Sequence, residues 1–189
     1  MLYLVSASPR RAELLRQIDV AFTAFAVDTD ESSFAGELPE AYVVRVARQK
    51  AVDAWRDKRR QNDWPVLTAD TAVVMGQHIL GKPENEAHGL AMLRMLSGAT
   101  HTVMTCVCLR RGEVERYQLH QSHVSFRALS DAEQFAYWQR GEAKDKAGAY
   151  AVQGYAARFI TELKGSYSSV MGLPLHVVDQ WLNDPEFFS

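Results

Sequence analysis

The chain has 189 residues, 47% hydrophobic and 23% charged, with 21 Lys and Arg against 23 Asp and Glu for a formal charge of -2. This composition excludes a disordered or collagen-like chain and suits a compact fold with a buried core. The near balance of charge excludes a protein that grips a nucleic-acid polymer by neutralising many phosphates, yet a local cation cluster could still take a small anionic substrate.

Leu2-Tyr3-Leu4-Val5 predicts a short buried strand, followed by a helix capped by Ser8, with Pro9 at its first position and Leu14, Leu15 and Ile18 inward. A second strand is expected over Ala21 to Val27, then a polar loop from Asp28 to Ser33 that ends near Gly36. From Glu40 to about Arg60, Val43, Val44, Ala47, Ala51, Ala54 and Trp55 recur at helical spacing, and Arg56 to Arg60 form a basic, solvated end. Pro65 to Ala69 reads as a strand running into Asp70, and Thr71 to Leu80 as a hairpin around Gly76-Gln77. Gly81-Lys82-Pro83 breaks the chain before a helix from about Asn85 to Leu96, which Gly98 stops.

Thr100 to Arg110 and Glu113 to Arg127 pattern as long antiparallel strands joined at Arg111-Gly112. Ser130 caps a helix through Trp138, strand and loop material follows from Gly148 to Gly172, and Pro174 opens a closing helix through Leu182. No repeat or linker divides the chain, so residues 1–189 are expected to form a single α/β domain. The longest charge-free run, Met95 to Leu109, is interrupted by polar residues and falls short of the roughly 20 apolar residues of a membrane span. The N-terminal apolar stretch is too short for a signal-peptide core, which predicts a cytoplasmic protein. Cys106 and Cys108 share one face of a strand, unsuited to a disulfide and too few to close a zinc site, and are expected in the core.

Several residues could carry chemistry. In Ser6-Ala7-Ser8-Pro9-Arg10-Arg11, two hydroxyls and two guanidiniums meet at a strand-to-helix turn, where free N–H groups favour an anion; the same residues also suit a capped helix with exposed arginines. Asp70, at the expected end of an apolar strand, could bind a divalent cation or accept a proton from water, or simply form a turn. Glu31 offers a second carboxylate. Lys50 runs along the edge of an apolar helix face and Lys82 sits in a rigid turn, so each could reach a cleft or remain a surface charge. Gln153-Gly154 is a weak local signal, and no histidines pair at metal-ligand spacing of the HExxH kind.

Taken together, these blocks resemble the Maf family of nucleoside triphosphate pyrophosphatases. The likeness runs from the Ser-Ala-Ser-Pro-Arg-Arg opening through Asp-Glu-Ser, Arg-Gln-Lys-Ala, Ala-Asp-Thr, Gly-Lys-Pro, Leu-Ser-Gly, Lys-Ala-Gly-Ala-Tyr and Gln-Gly to Val-Met-Gly-Leu-Pro, in the family's order. The resemblance implies an α/β fold with a long mixed β-sheet flanked by helices, two lobes and a cleft between them. It implies hydrolysis of a nucleoside triphosphate to the monophosphate and pyrophosphate with a divalent cation, Mg, Mn or Co. By the same resemblance Ser8, Arg10, Arg11, Lys50 and Lys82 would bind the substrate, Glu31 and Asp70 would hold the metal, and Asp70 would accept the proton. Arg10, Thr71 and Gln153 match the branch that resembles dTTP/UTP hydrolases; the branch that resembles 7-methyl-GTP hydrolases has Trp, Gln and Glu there. The competing expectations are that second branch and a nucleotide-sensing regulator of cell division or shape. A nucleoside triphosphate is the expected partner, with no membrane and no nucleic-acid polymer, and a homodimer is compatible.

Overall fold

The computed structural model describes residues 1–188. Among them, one mixed sheet of seven strands runs in the order β2-β1-β3-β5-β6-β7, with β4 on β3. The strands are β1 (Leu2–Val5), β2 (Phe22–Phe25), β3 (Val66–Met75), β4 (His78–Leu80), β5 (Thr100–Arg111), β6 (Val114–Phe126) and β7 (Ile160–Lys164). The helices are α1 (Pro9–Gln17), α2 (Pro39–Trp55), α3 (Glu86–Leu96), α4 (Asp131–Gln139), α5 (Tyr167–Val170), α6 (Leu175–Leu182) and α7 (Pro185–Phe188). This α/β architecture agrees with the fold expected from sequence, and no described helix is long and apolar enough to cross a membrane.

The chain gathers into two compact units made from interleaved stretches. The first takes Met1–Asp70, Thr105–His120 and the described residues from Gly172 onward. Here β1 pairs in parallel with β2, Leu2 opposite Phe22, and with β3, Tyr3 opposite Val66. Tyr3, Val5, Ala54 and Val66 are buried together, with Phe25, Val27, Trp55 and Trp64 packed around them. Cys106 and Cys108 lie in the core as free thiols, and burial pushes both up, Cys106 to about 12.

The second unit takes Thr71–Met104 and Gln121–Met171. In it β3 turns back on β4 through Gly76, whose φ of 62° gives the tight reversal. β6 pairs antiparallel with β7, and a capping box between Ser130 and Glu133 starts α4. Phe126, Tyr150 and His101 meet edge to face, with Phe126 and Tyr150 centroids 4.9 Å apart. His101 Nε2 is 2.8 Å from the Tyr150 hydroxyl, and burial lowers the imidazole to about 4.

The local expectations hold for most elements and fail at identifiable places. Helix α2 stops at Trp55, short of Arg60. Arg60 folds back, donating to the Trp55 carbonyl at 2.8 Å with its guanidinium 3.5 Å over the Trp55 ring, so this end of the basic run is packed instead of solvated. Strand β2 is confined to Phe22–Phe25. Ser8 holds the N-cap position of α1 but makes no side-chain cap; its own N–H donates to Ser6 Oγ at 3.0 Å.

Candidate active site

The β3 strand does not end at Asp70, as the sequence suggested; it continues to Met75, and Asp70 sits within it. Alternation along a strand puts Asp70 on the face shared with Thr68 and Ala72, and Thr71 on the face shared with Ala69 and Val73. On the first of these faces, Thr68 Oγ1 donates to the Ala47 carbonyl of α2 at 2.7 Å, fixing helix to strand. Lys50 lies one turn further along α2 and reaches the Asp70 carboxylate.

The Lys50 ammonium is the centre of this cluster. Its Nζ is 2.8 Å from Asp70 Oδ1 and 2.7 Å from Glu31 Oε1, so two carboxylates from distant parts of the chain converge on one cation. Lys50 and Asp70 are nearly enclosed, with side-chain exposures of 13% and 10%, whereas Glu31 is about half exposed at 53%. Enclosure strengthens the ion pair and also makes a lone Asp70 carboxylate costly, so the geometry is held from both sides.

Glu31 is delivered by a loop that is ordered by its own polar contacts. Asp30 accepts from the backbone and hydroxyl of Ser32, and Arg45 of α2 pairs with Glu37 while donating to the Ser32 carbonyl. Tyr42 of α2 donates its hydroxyl to the Glu31 carbonyl at 3.1 Å. Burial, then the Asp70 and Glu31 charges, push that phenol up to about 12, so it stays protonated and remains a donor. Sequence reasoning passed over Tyr42; the only available signal was its place two turns before Lys50 on the same helix.

Arg11 completes the first unit's cluster. Its Nε donates to the Gly172 carbonyl at 2.8 Å and Nη1 to Ser6 Oγ at 3.3 Å, which fixes the guanidinium at the start of α1. Burial pulls its pKa below the ordinary value, opposed by the neighbouring charges of Asp70 and Glu31, while Arg10 adds a second positive charge. Arg10, Arg11, Glu31, Lys50 and Asp70 are therefore electrostatic neighbours, and Ser8 sits at the turn from which the arginines emerge.

Thr71, Lys82 and Gln153 belong to the second unit. Lys82 is exposed and follows Gly81, whose carbonyl accepts from Gly148 N–H at 3.1 Å. Gly148 lies against Val73, which shares its strand face with Thr71; φ is 68°, and a Cβ there would be 2.8 Å from Val73 Cγ1. The close approach explains the glycine in Lys-Ala-Gly-Ala-Tyr. Gln153 is exposed in a turn closed by Gly154 N–H to the Ala151 carbonyl at 3.1 Å.

Among the described residues, no group of three or more His, Cys, Asp or Glu side chains gathers to hold a metal alone. Glu31 and Asp70, which converge on the Lys50 ammonium, are an all-oxygen carboxylate pair of the kind that fits a hard divalent cation.

Comparison with known proteins covers almost the whole chain. A family model described as Maf-like protein matches residues 1–184. A dTTP/UTP pyrophosphatase of Pseudoalteromonas atlantica is 46% identical over 184 residues, 97% of this chain and 96% of the relative. One from Hydrogenovibrio crunogenus is 42% identical over 188 residues, 100% of this chain and 97% of the relative. A third, from Alkalilimnicola ehrlichii, is 46% identical over 188 residues, 98% of this chain and 93% of the relative.

Proposed function

The chain belongs to the Maf family, and on that premise we propose that it is a dTTP/UTP pyrophosphatase, hydrolysing these nucleotides to dTMP or UMP and pyrophosphate. The observation that carries the chemistry is the Lys50 ammonium held at 2.7 and 2.8 Å by Glu31 and Asp70, with Arg11 and Arg10 alongside. A cluster of partly buried cations around a fixed carboxylate suits an anionic substrate attacked by water.

Asp70 takes the proton from the water that attacks the α-phosphorus, and Lys50 holds the Asp70 carboxylate in orientation. As the bond to the β-phosphate breaks, negative charge grows on the α-phosphate oxygens and the leaving pyrophosphate. Arg10, Arg11, Lys50 and Lys82 meet that charge with donors, and Ser8 adds a hydroxyl. Glu31 and Asp70 would hold a divalent cation, Mg, Mn or Co. When bound, the cation supplies positive charge against the phosphate oxygens and acidifies a water. Base preference rests on Arg10, Thr71 and Gln153: the Gln153 amide offers a donor and an acceptor to the carbonyl and imide edge of a pyrimidine, and Thr71 adds a short hydroxyl. The whole chain is taken as one functional domain that works in the cytoplasm.

Product analysis tests this reading. With dTTP, dTMP and pyrophosphate are expected in equal amounts, without dTDP, and a chelator is expected to stop the reaction until a divalent cation is restored. Release of inorganic phosphate with accumulation of dTDP would rule out attack at the α-phosphorus.

A further inference from the structure

The turn that carries Gln153 is fastened at both ends by a pair of side chains that the mechanism above does not use. Tyr137, fully buried on α4, donates its hydroxyl to Glu142 Oε1 at 2.7 Å and accepts the Ala151 N–H at 3.3 Å. The other oxygen of the same carboxylate, Glu142 Oε2, accepts the Tyr155 N–H at 2.9 Å. Gln153 lies midway between those two anchored amides, in a turn closed by the bond from Gly154 N–H to the Ala151 carbonyl. The Tyr137 ring is wedged edge to face on Phe159 at 5.4 Å, so the hydroxyl has a fixed origin.

Two glycines make the arrangement possible. Gly141 has φ 78° and donates to the Trp138 carbonyl, turning the chain at the end of α4 so that Glu142 comes back to Tyr137. At Gly154, a Cβ would overlap the Glu142 carboxylate, so the glycine leaves the space that the carboxylate fills. That accounts for the glycine in Gln153-Gly154 without any need for a left-handed backbone, since its φ is -100°.

We propose that Tyr137 and Glu142 are positioning residues for base selection: they fix the Ala151–Tyr155 backbone so that the Gln153 amide meets the pyrimidine edge without first being ordered. This rests on Gln153 being a base-contacting residue. An exposed glutamine on a free turn loses turn and side-chain freedom each time it binds, whereas a turn pinned at both flanks loses only the side chain's. Burial and the hydrogen bond to Glu142 both push the Tyr137 phenol up, which keeps it protonated as the donor to the carboxylate.

The test compares kcat/KM for UTP and GTP in wild type, Gln153→Ala, Tyr137→Phe, Gly154→Ala and the Gln153→Ala/Gly154→Ala double variant. Gly154→Ala deletes no polar group and displaces only the end of the Glu142 side chain, so it carries the test if Tyr137→Phe fails to fold. Each single variant is expected to lower the UTP-to-GTP ratio about tenfold, through a raised KM for UTP and little change in kcat, while the double variant falls no further than Gln153→Ala. Amide exchange at Tyr155 is expected to quicken in Gly154→Ala. If Gln153→Ala lowers the ratio but Tyr137→Phe and Gly154→Ala reduce both nucleotides equally, the pair is merely structural and the inference is overturned while the base-contact reading stands. If Gln153→Ala keeps the wild-type ratio, that reading fails and takes the inference with it.

Discussion

Lys50 is shared between two carboxylates, and the consequences of removing any one of the three differ. Asp70→Asn preserves size and an acceptor oxygen for Lys50 but removes the basic site, so kcat is expected to fall by about 100-fold or more while the fold persists. Steady-state kinetics on the purified variant decide this, and near wild-type turnover would remove Asp70 from the role of proton acceptor. Lys50→Met is expected to be harsher on stability than Asp70→Asn, because it takes from the enclosed Asp70 carboxylate the ammonium paired with it at 2.8 Å. Losing one partner of a buried pair costs roughly 3 to 5 kcal/mol. Chemical denaturation of the two variants side by side would reveal the difference.

At the scale of elements, the second unit depends on close approaches that only glycine permits. Gly148→Ala would force a Cβ to 2.8 Å from Val73 Cγ1 in a backbone with φ 68°. A loss of about 2 kcal/mol is expected, which for a chain of this length lowers the melting midpoint by roughly 4 to 8 °C. Calorimetry checks it. The hairpins and most helices could be read from the sequence because their boundaries carry local chemistry: Gly76 and Gly112 with positive φ, Asn85 and the Ser130/Glu133 box as caps. The end of α2 could not, since Arg60 stops it from outside the helix by folding back on Trp55. Nor could the continuation of β3 through Asp70, because an Asp inside an apolar strand is tolerated only when a partner such as Lys50 arrives from another element. The candidate residues gave only weak local signals, such as the Ser-Pro turn before Arg10 and Arg11, and family resemblance supplied their roles. Tyr137 and Glu142 left no pattern because two of their partners are backbone N–H groups, which any residue supplies.

For the molecule as a whole, a loss of stability in acid follows from the buried His101. His101 is 2% exposed and held near a pKa of about 4, while the unfolded imidazole titrates at its ordinary value of 6.5. Below the unfolded value, protons bind the unfolded chain preferentially. Stability is therefore intact above about pH 6.5, declines as pH falls toward 4, and flattens below, a loss of roughly 3 kcal/mol from this residue. Burial lowers His120 in the same direction, with the His176 charge adding to it. Denaturant midpoints measured between pH 7 and pH 4 are expected to decline less steeply in His101→Gln; an unchanged slope would contradict the assignment.

The pleat of β3 has a consequence for how such a protein diversifies. Asp70 and Thr71 are consecutive residues that face opposite ways, one toward α2 and the other toward the face of Val73 and Gly148. Under the proposed roles, one residue carries the hydrolytic step and the next helps choose the base. Mutations at position 71 can therefore be sampled by drift or by a directed library without disturbing the Lys50–Asp70 pair. On those proposed roles, a single codon change at position 71 would alter substrate choice while the cleavage chemistry is inherited intact.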